Sequence, residues 1–253
     1  MKQIPNIITL LNLLIGCMAV VYILGGKPET GAVMIIACSV LDFLDGAAAR
    51  ILKAYSGIGK QLDSLADLIS FGLAPAAIVF YYFSNALQHS NHESNYFVLS
   101  GLAFLITAFS ALRLAKYNLG EDDKDYFIGL PTPANALLIA SIPLTLALAD
   151  SGTISYKVLN SFSFSVWPNL LLIAILSFLL IAPIKMFSLK VRSFAFKENR
   201  IRIVFLAGCI ILLITFGWTA MPMFMVFYIL LSLLWPVILP MNSEGRQEAG
   251  RKI

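Results

Sequence analysis

Residues 40–72 read VLDFLDGAAARILKAYSGIGKQLDSLADLISFG, and the order of apolar, acidic and basic side chains in them decides the fold. Two acidic pairs, Asp42/Asp45 and Asp63/Asp67, are set in apolar sequence on either side of a short connection, LKAYSGIGK. The first pair is spaced i, i+3 and the second i, i+4, so each pair shares one helix face. The connection contains Gly57 and Gly59 and predicts a turn that folds the two segments into an antiparallel hairpin. At ~1.5 Å rise per residue, all four carboxylates then lie roughly 5–15 Å inside the same end of that hairpin.

The rest of the chain says what surrounds the hairpin. Of 253 residues, 59% are hydrophobic and only 13% charged, and the mean hydropathy is +0.84. A soluble domain carries about a quarter charged residues, so the solvent for this surface is lipid. The composition excludes a disordered chain and a disulfide scaffold. Cys17, Cys38 and Cys209 lie singly in apolar runs and read as small buried hydrophobes. The formal charge of +4 reflects loops facing anionic headgroups rather than nucleic acid.

Eight stretches approach the roughly 20 apolar residues that a crossing needs: Ile4–Leu24, Thr30–Leu52, Gln61–Phe83, Tyr96–Ala115, Pro131–Ala149, Val166–Ile184, Ile201–Trp218 and Met221–Leu239. The expected fold is an all-α polytopic membrane bundle of about eight transmembrane helices. With the N-terminus inside, all but Lys27 and Lys157 of the 18 Lys and Arg residues fall on one side. The positive-inside rule then puts both termini in the cytoplasm. One membrane domain is expected: residues 1–184 as a six-helix catalytic core, and 185–253 as a basic loop, a two-helix hairpin and a tail. The first span lacks a small-residue cleavage site and reads as retained.

An Asp near a span centre costs roughly 2.5–3.5 kcal/mol. Asp42, Asp45, Asp63 and Asp67 therefore need an offset, whereas the other ten acidic residues fall in expected loops or tails. Four adjacent carboxylates repel unless protonated or metallated. Arg50 is one cation against four charges; two divalent hard cations would balance them in number. Protonated acids bonded between helices, or a proton or ion relay of a transporter, would use the same residue types. Transporters, however, favour duplicated halves and mid-membrane sites, and these acids sit toward one end with no second copy. Gly46, beside Asp45, leaves room for a ligand to approach the backbone.

Written out, the segment is Asp42-x2-Asp45-Gly46-x2-Ala49-Arg50-x8-Gly59-x3-Asp63-x3-Asp67. It resembles the signature of the CDP-alcohol phosphotransferases at every fixed position. Four further runs are similar to the bacterial integral-membrane phosphatidylserine synthases. They are Ile4–Asn12 (IPNIITLLN), Asp67–Ala76 (DLISFGLAPA), Arg113–Asn118 (RLAKYN) and Gly129–Ala134 (GLPTPA). The likeness spans roughly residues 4–134; the last three spans match in general character only.

The resemblance implies transfer of a phosphatidyl group from CDP-diacylglycerol to L-serine, with release of CMP. It implies two divalent cations, Mg2+ or Mn2+. Asp42, Asp45 and Asp63 would be metal ligands, with Asp42 and Asp63 bridging. Asp67 would bind the second ion and accept the serine hydroxyl proton. Gly46, Arg50 and Ser56 would contact the CDP-lipid, and Pro5 and Asn6 would border the nucleotide. A homodimer in the bacterial inner membrane, with the site facing the cytoplasm and membrane lipids around it, completes the expectation. No His, Cys or activated Ser near the pocket suggests a covalent intermediate, so a direct displacement is expected.

The acidic motif fixes the donor and leaves the acceptor open. A glycerol 3-phosphate acceptor would need extra cations for its phosphate; serine needs one for its carboxylate. Arg113 and Lys116 are candidates, and snorkelling to the headgroups would account for them equally. Lys185, Lys190, Arg192, Lys197, Arg200 and Arg202, interleaved with Phe187, Phe194 and Phe196, read as a basic loop in the headgroup region that could also hold anionic lipid. Glu121–Asp125 reads as a solvated loop. His89 and His92 read as solvated side chains, with a metal site as the alternative.

Overall fold

The structure, a computed structural model, describes residues 3–54, 56–89, 96–119, 126–187 and 200–238. The chain starts with α1 (Ile4–Leu24), whose first turn holds Pro5, where the missing N–H costs nothing. A two-residue glycine turn leads to α2 (Pro28–Ile51), again opened by a proline. Glu29 lies in its first turn and Arg50 in its last, both matched to the helix dipole.

The turn after α2 departs from expectation. Lys53, not a glycine, takes the positive φ of 49°. The Ala54 N–H donates to the Ala49 carbonyl (3.0 Å) and the Lys53 N–H to the Arg50 carbonyl (3.3 Å), a Schellman closure. Gly57 and Gly59 instead open α3 (Gly57–Asp67), capped by Ser56, whose Oγ accepts from the Gly59 N–H at 2.9 Å. Gly59 is required by crowding: a Cβ there would meet Ser56 Oγ at 2.9 Å and Asn6 Oδ1 at 3.1 Å.

Immediately after Asp67 the helix widens into a π-turn, Leu68–Leu73, before α4 (Ala74–His89) resumes. The carbonyl of Gly72 accepts from Thr107 Oγ1 at 3.2 Å. A Cβ on Gly72 would come within 3.2 Å of the Ser110 Cβ, so the neighbouring helix locks the turn. That neighbour is reached through α5 (Tyr96–Ser100) and a 3-10 turn, Gly101–Phe104, that runs into α6 (Leu105–Leu119).

Beyond it lie α7 (Thr132–Leu148), α8 (Ile154–Ser163), α9 (Val166–Ile181), α10 (Arg200–Phe216) and α11 (Met221–Ile238). A short antiparallel ribbon pairs β1 (Tyr126–Ile128) with β2 (Lys185–Phe187), the one departure from an all-helical chain among the described residues. α11 packs on α7 and the ribbon, with Tyr228 Oη donating to the Phe187 carbonyl at 3.0 Å.

All eight expected segments coincide with helices. Four helical stretches are long and apolar enough to cross a membrane: Ile4–Leu24, Pro28–Ile51, Gly57–His89 and Tyr96–Leu119. Tyr156–Ser163 with Val166–Ile181, bent by 85°, brings the number to five if counted as one span. Length and apolarity thus support four to five crossings among the described residues, with the remaining helices shorter. α8 lies between the expected stretches Pro131–Ala149 and Val166–Ile184, and Thr153 caps it by accepting from the Tyr156 N–H.

The interior is packed by Ile35, Phe71, Ile78, Phe83 and Ile139, all fully buried. Leu10, Leu14 and Val21 of α1 and Val33, Val40 and Phe43 of α2 point outward, an arrangement suited to hydrocarbon rather than water. His92, the acidic run 121–125, most of the basic loop (188–199) and the tail lie outside the described residues.

Candidate active site

The hairpin of α2 and α3 brings the acids together, as their spacing requires. One carboxylate oxygen each from Asp42, Asp63 and Asp67 lies within 4.8 Å of the others. All three are half-buried, while Asp45 is buried at 5% exposure. Asp45 stands slightly apart from the trio: its Oδ2 accepts a 2.7 Å hydrogen bond from Thr9 Oγ1 on α1.

These side chains line a cavity of about 1070 Å³, a size that takes a drug-sized or larger ligand. Pro5, Asn6, Asp42, Asp45, Gly46, Arg50, Ser56, Asp63, Asp67 and Arg113, all singled out from sequence, line it. Lys116 does not: it is exposed and off the cavity wall. One helical turn carries Arg113 inward and Lys116 outward. The two cations, paired from sequence, are thus separated by the structure, because residues i and i+3 share a helix face only broadly.

The site also holds residues that sequence reasoning passed over. Thr9, Lys60, Tyr117, Asn118 and Thr132 share the lining. Asn118 Nδ2 donates to Ser64 Oγ at 2.7 Å and fastens α6 to the acidic face of α3. The similar runs IPNIITLLN and RLAKYN contain Thr9 and Asn118, and that was the available signal.

Charge and hydrogen bonding define what the cavity can hold. Four Asp share its lining with Arg50, Lys60 and Arg113. Asp67 Oδ1 is fully enclosed and has no hydrogen-bond partner among the described residues, and neither does Nε of Arg113, a residue only 8% exposed. A buried carboxylate oxygen left without a partner costs on the order of 1–3 kcal/mol or more. A cluster of three carboxylates supplies hard oxygen donors of the kind that suit a small divalent cation. The residues present therefore fit a divalent metal. Gly46 contributes space: a Cβ on it would meet nothing within 4 Å.

A family model described as CDP-alcohol phosphatidyltransferase matches residues 2–234. A Bacillus subtilis protein named CDP-diacylglycerol–serine O-phosphatidyltransferase is 34% identical over 169 residues, covering 65% of this chain and 90% of that protein. Proteins of the same name from Mycobacterium bovis and Methanocaldococcus jannaschii are 33% and 35% identical over 144 and 136 residues. Those matches cover 54% of this chain in each case, and 47% and 58% of the relatives. The chain thus spans about half the length of the mycobacterial relative it matches.

Proposed function

Because the chain belongs to the CDP-alcohol phosphatidyltransferase family, we propose that it transfers the phosphatidyl group of CDP-diacylglycerol to the hydroxyl of L-serine and releases CMP. The observation that carries this reading is the trio Asp42, Asp63 and Asp67, gathered within 4.8 Å in a cavity that also holds two arginines. The serine acceptor is supported by the names of the relatives.

In this proposal Asp42, Asp45, Asp63 and Asp67 would hold two divalent cations, Mg2+ or Mn2+. Bound there, such ions supply Lewis-acid neutralisation of the phosphoryl oxygens. Asp67 accepts the proton of the serine hydroxyl, which is a poor nucleophile while protonated. The serine oxygen then bonds to the lipid-side phosphorus and the bond from that phosphorus to the CMP oxygen breaks. Arg50 binds a phosphate oxygen of the CDP-lipid through its fork of N–H donors. Gly46 and Ser56 border the pyrophosphate, Pro5 and Asn6 the nucleotide. The buried guanidinium of Arg113 pairs with the serine carboxylate, a role for which its unpartnered Nε is suited.

The acyl chains remain in the bilayer while serine and CMP exchange with water. Cytoplasmic exposure of the site, residence in an inner membrane and assembly as a homodimer belong to the same proposal and rest on the lysine–arginine distribution and the family. The test is a direct one. Purified protein is given CDP-diacylglycerol with serine, glycerol 3-phosphate or inositol phosphate, and the product is weighed by mass spectrometry. Phosphatidylserine is expected; incorporation of glycerol phosphate alone would refute the serine assignment.

A further inference from the structure

The positions of α1 buried against the bundle are Pro5, Thr9, Asn12, Gly16, Ala19 and Ile23, a seam that steps alternately by four and three residues. A seam between membrane helices is served by small side chains and by polar ones that hydrogen-bond across it, and what matters here is where the polar groups reach. Thr9 and Asn12 in the seam, and half-buried Asn6 beside it, follow one another a turn apart, and each meets a different acidic segment. Asn6 Oδ1 lies against Gly59, ahead of Asp63. Thr9 Oγ1 is 2.7 Å from Asp45 Oδ2. Asn12 Oδ1 accepts from Ser70 Oγ at 2.9 Å, in the π-turn that follows Asp67.

We propose that Thr9 is a positioning residue for Asp45, and that through it α1 sets how the acidic pocket presents oxygen to a divalent cation. The inference rests on the phosphotransfer reading above and deepens it.

The argument starts from what Thr9 needs. Its hydroxyl already has an acceptor within its own helix, the Pro5 carbonyl at 3.0 Å. Its own hydrogen bonding therefore does not require Asp45, yet the shorter contact is to Asp45. The beneficiary is the carboxylate, buried at 5% exposure and set apart from the trio. The Thr9 hydroxyl, together with the Gly46 backbone N–H that also bonds the Asp45 carboxylate, restrains the plane in which that carboxylate is presented to the cavity. Outer hydrogen bonds of this kind orient metal ligands, and removing one commonly lowers metal affinity about 10- to 100-fold. Neither neighbouring contact replaces this one, since Asn6 and Asn12 act on α3 and on the π-turn. Val at position 9 would fill the same volume, so packing alone gives no reason for a hydroxyl.

The test measures Mn2+ binding to purified protein in detergent by the electron paramagnetic resonance signal of free Mn2+, beside thermal unfolding. Thr9→Val is expected to weaken Mn2+ affinity about tenfold in a protein that still unfolds cooperatively, its Tm lowered by no more than about 10 °C through the lost bond to the buried carboxylate. Thr9→Ser, which keeps the hydroxyl, is expected to restore affinity to within about twofold of the parent. Unchanged affinity in Thr9→Val, or a Thr9→Ser as weak as Thr9→Val, would overturn the proposal alone. Failure of both Thr9→Val and Thr9→Ala to fold would overturn it too, by making Thr9 a packing residue. Absence of Mn2+ binding by the unsubstituted chain would overturn the functional reading, and this inference with it.

Discussion

Asp42 and Asp67 present carboxylate oxygens within 4.8 Å of each other from two helices joined by a turn at Lys53. Two negative charges at such a distance in a partly buried cavity repel by several kcal/mol unless a cation lies between them. Exhaustive chelation is therefore expected to abolish turnover, and Mg2+ or Mn2+ to restore it. Asp42→Ala and Asp63→Ala should each remove measurable Mn2+ binding by titration calorimetry. Turnover that survives chelation would leave these acids without their assigned task.

Asp67 is assigned the proton. Asp67→Asn keeps the size and shape of the side chain but cannot accept the proton, so kcat should fall about 10²- to 10⁴-fold while binding of CDP-diacylglycerol changes little. Single-turnover assays with labelled serine, paired with a lipid-binding measurement, separate the two quantities.

Arg113 and Lys116 differ in placement, and substitution should reproduce the difference. Arg113→Gln is expected to raise KM for serine at least tenfold, in line with the loss of about 1.5–3 kcal/mol for a charged hydrogen bond, with KM for the lipid donor little altered. Lys116→Ala, on the exposed side, should leave both within about twofold. Equal effects from the two would contradict the geometry.

Glycines at two positions answer to different constraints. A Cβ at Gly16 would lie 2.5 Å from Ser70 Oγ and 3.1 Å from the Ser70 Cα, whereas one at Gly46 meets nothing within 4 Å. Gly16→Ala should thus destabilise by about 1–3 kcal/mol through overpacking. Gly46→Ala should hold or gain stability, by up to about 1 kcal/mol of helix propensity, while raising KM for the CDP-lipid. Thermal unfolding and steady-state kinetics on the same preparations check both.

Lys53 occupies the left-handed region at φ 49°. Lys53→Gly is expected to raise stability by about 0.5–1 kcal/mol, read as a higher Tm, without loss of activity. A lower Tm would mean that the lysine side chain does more for the turn than its backbone costs.

Much of the pocket was legible in the chain because its logic is local. The spacings 42/45 and 63/67 fix which acids share a helix face, and a short connection forces the two faces to meet. The turn was read less well. Gly57 and Gly59 suggested its position, but the Schellman closure fell on Lys53, and the two glycines open α3 instead. The π-turn after Asp67 left no sequence mark, because its extra residue is stabilised by Thr107 from a distant helix.

From sequence alone came the lipid-solvated helical character, the acidic hairpin and the membership that its motif announced, all properties of composition and of residues a few positions apart. The tertiary structure decided that α1 supplies Thr9 to Asp45 and Asn12 to Ser70, that α6 turns Arg113 inward and Lys116 outward, and that α8 folds as a helix bent from α9. Those outcomes depend on which helices pack together and at what rotation, and close packing between distant segments sets both.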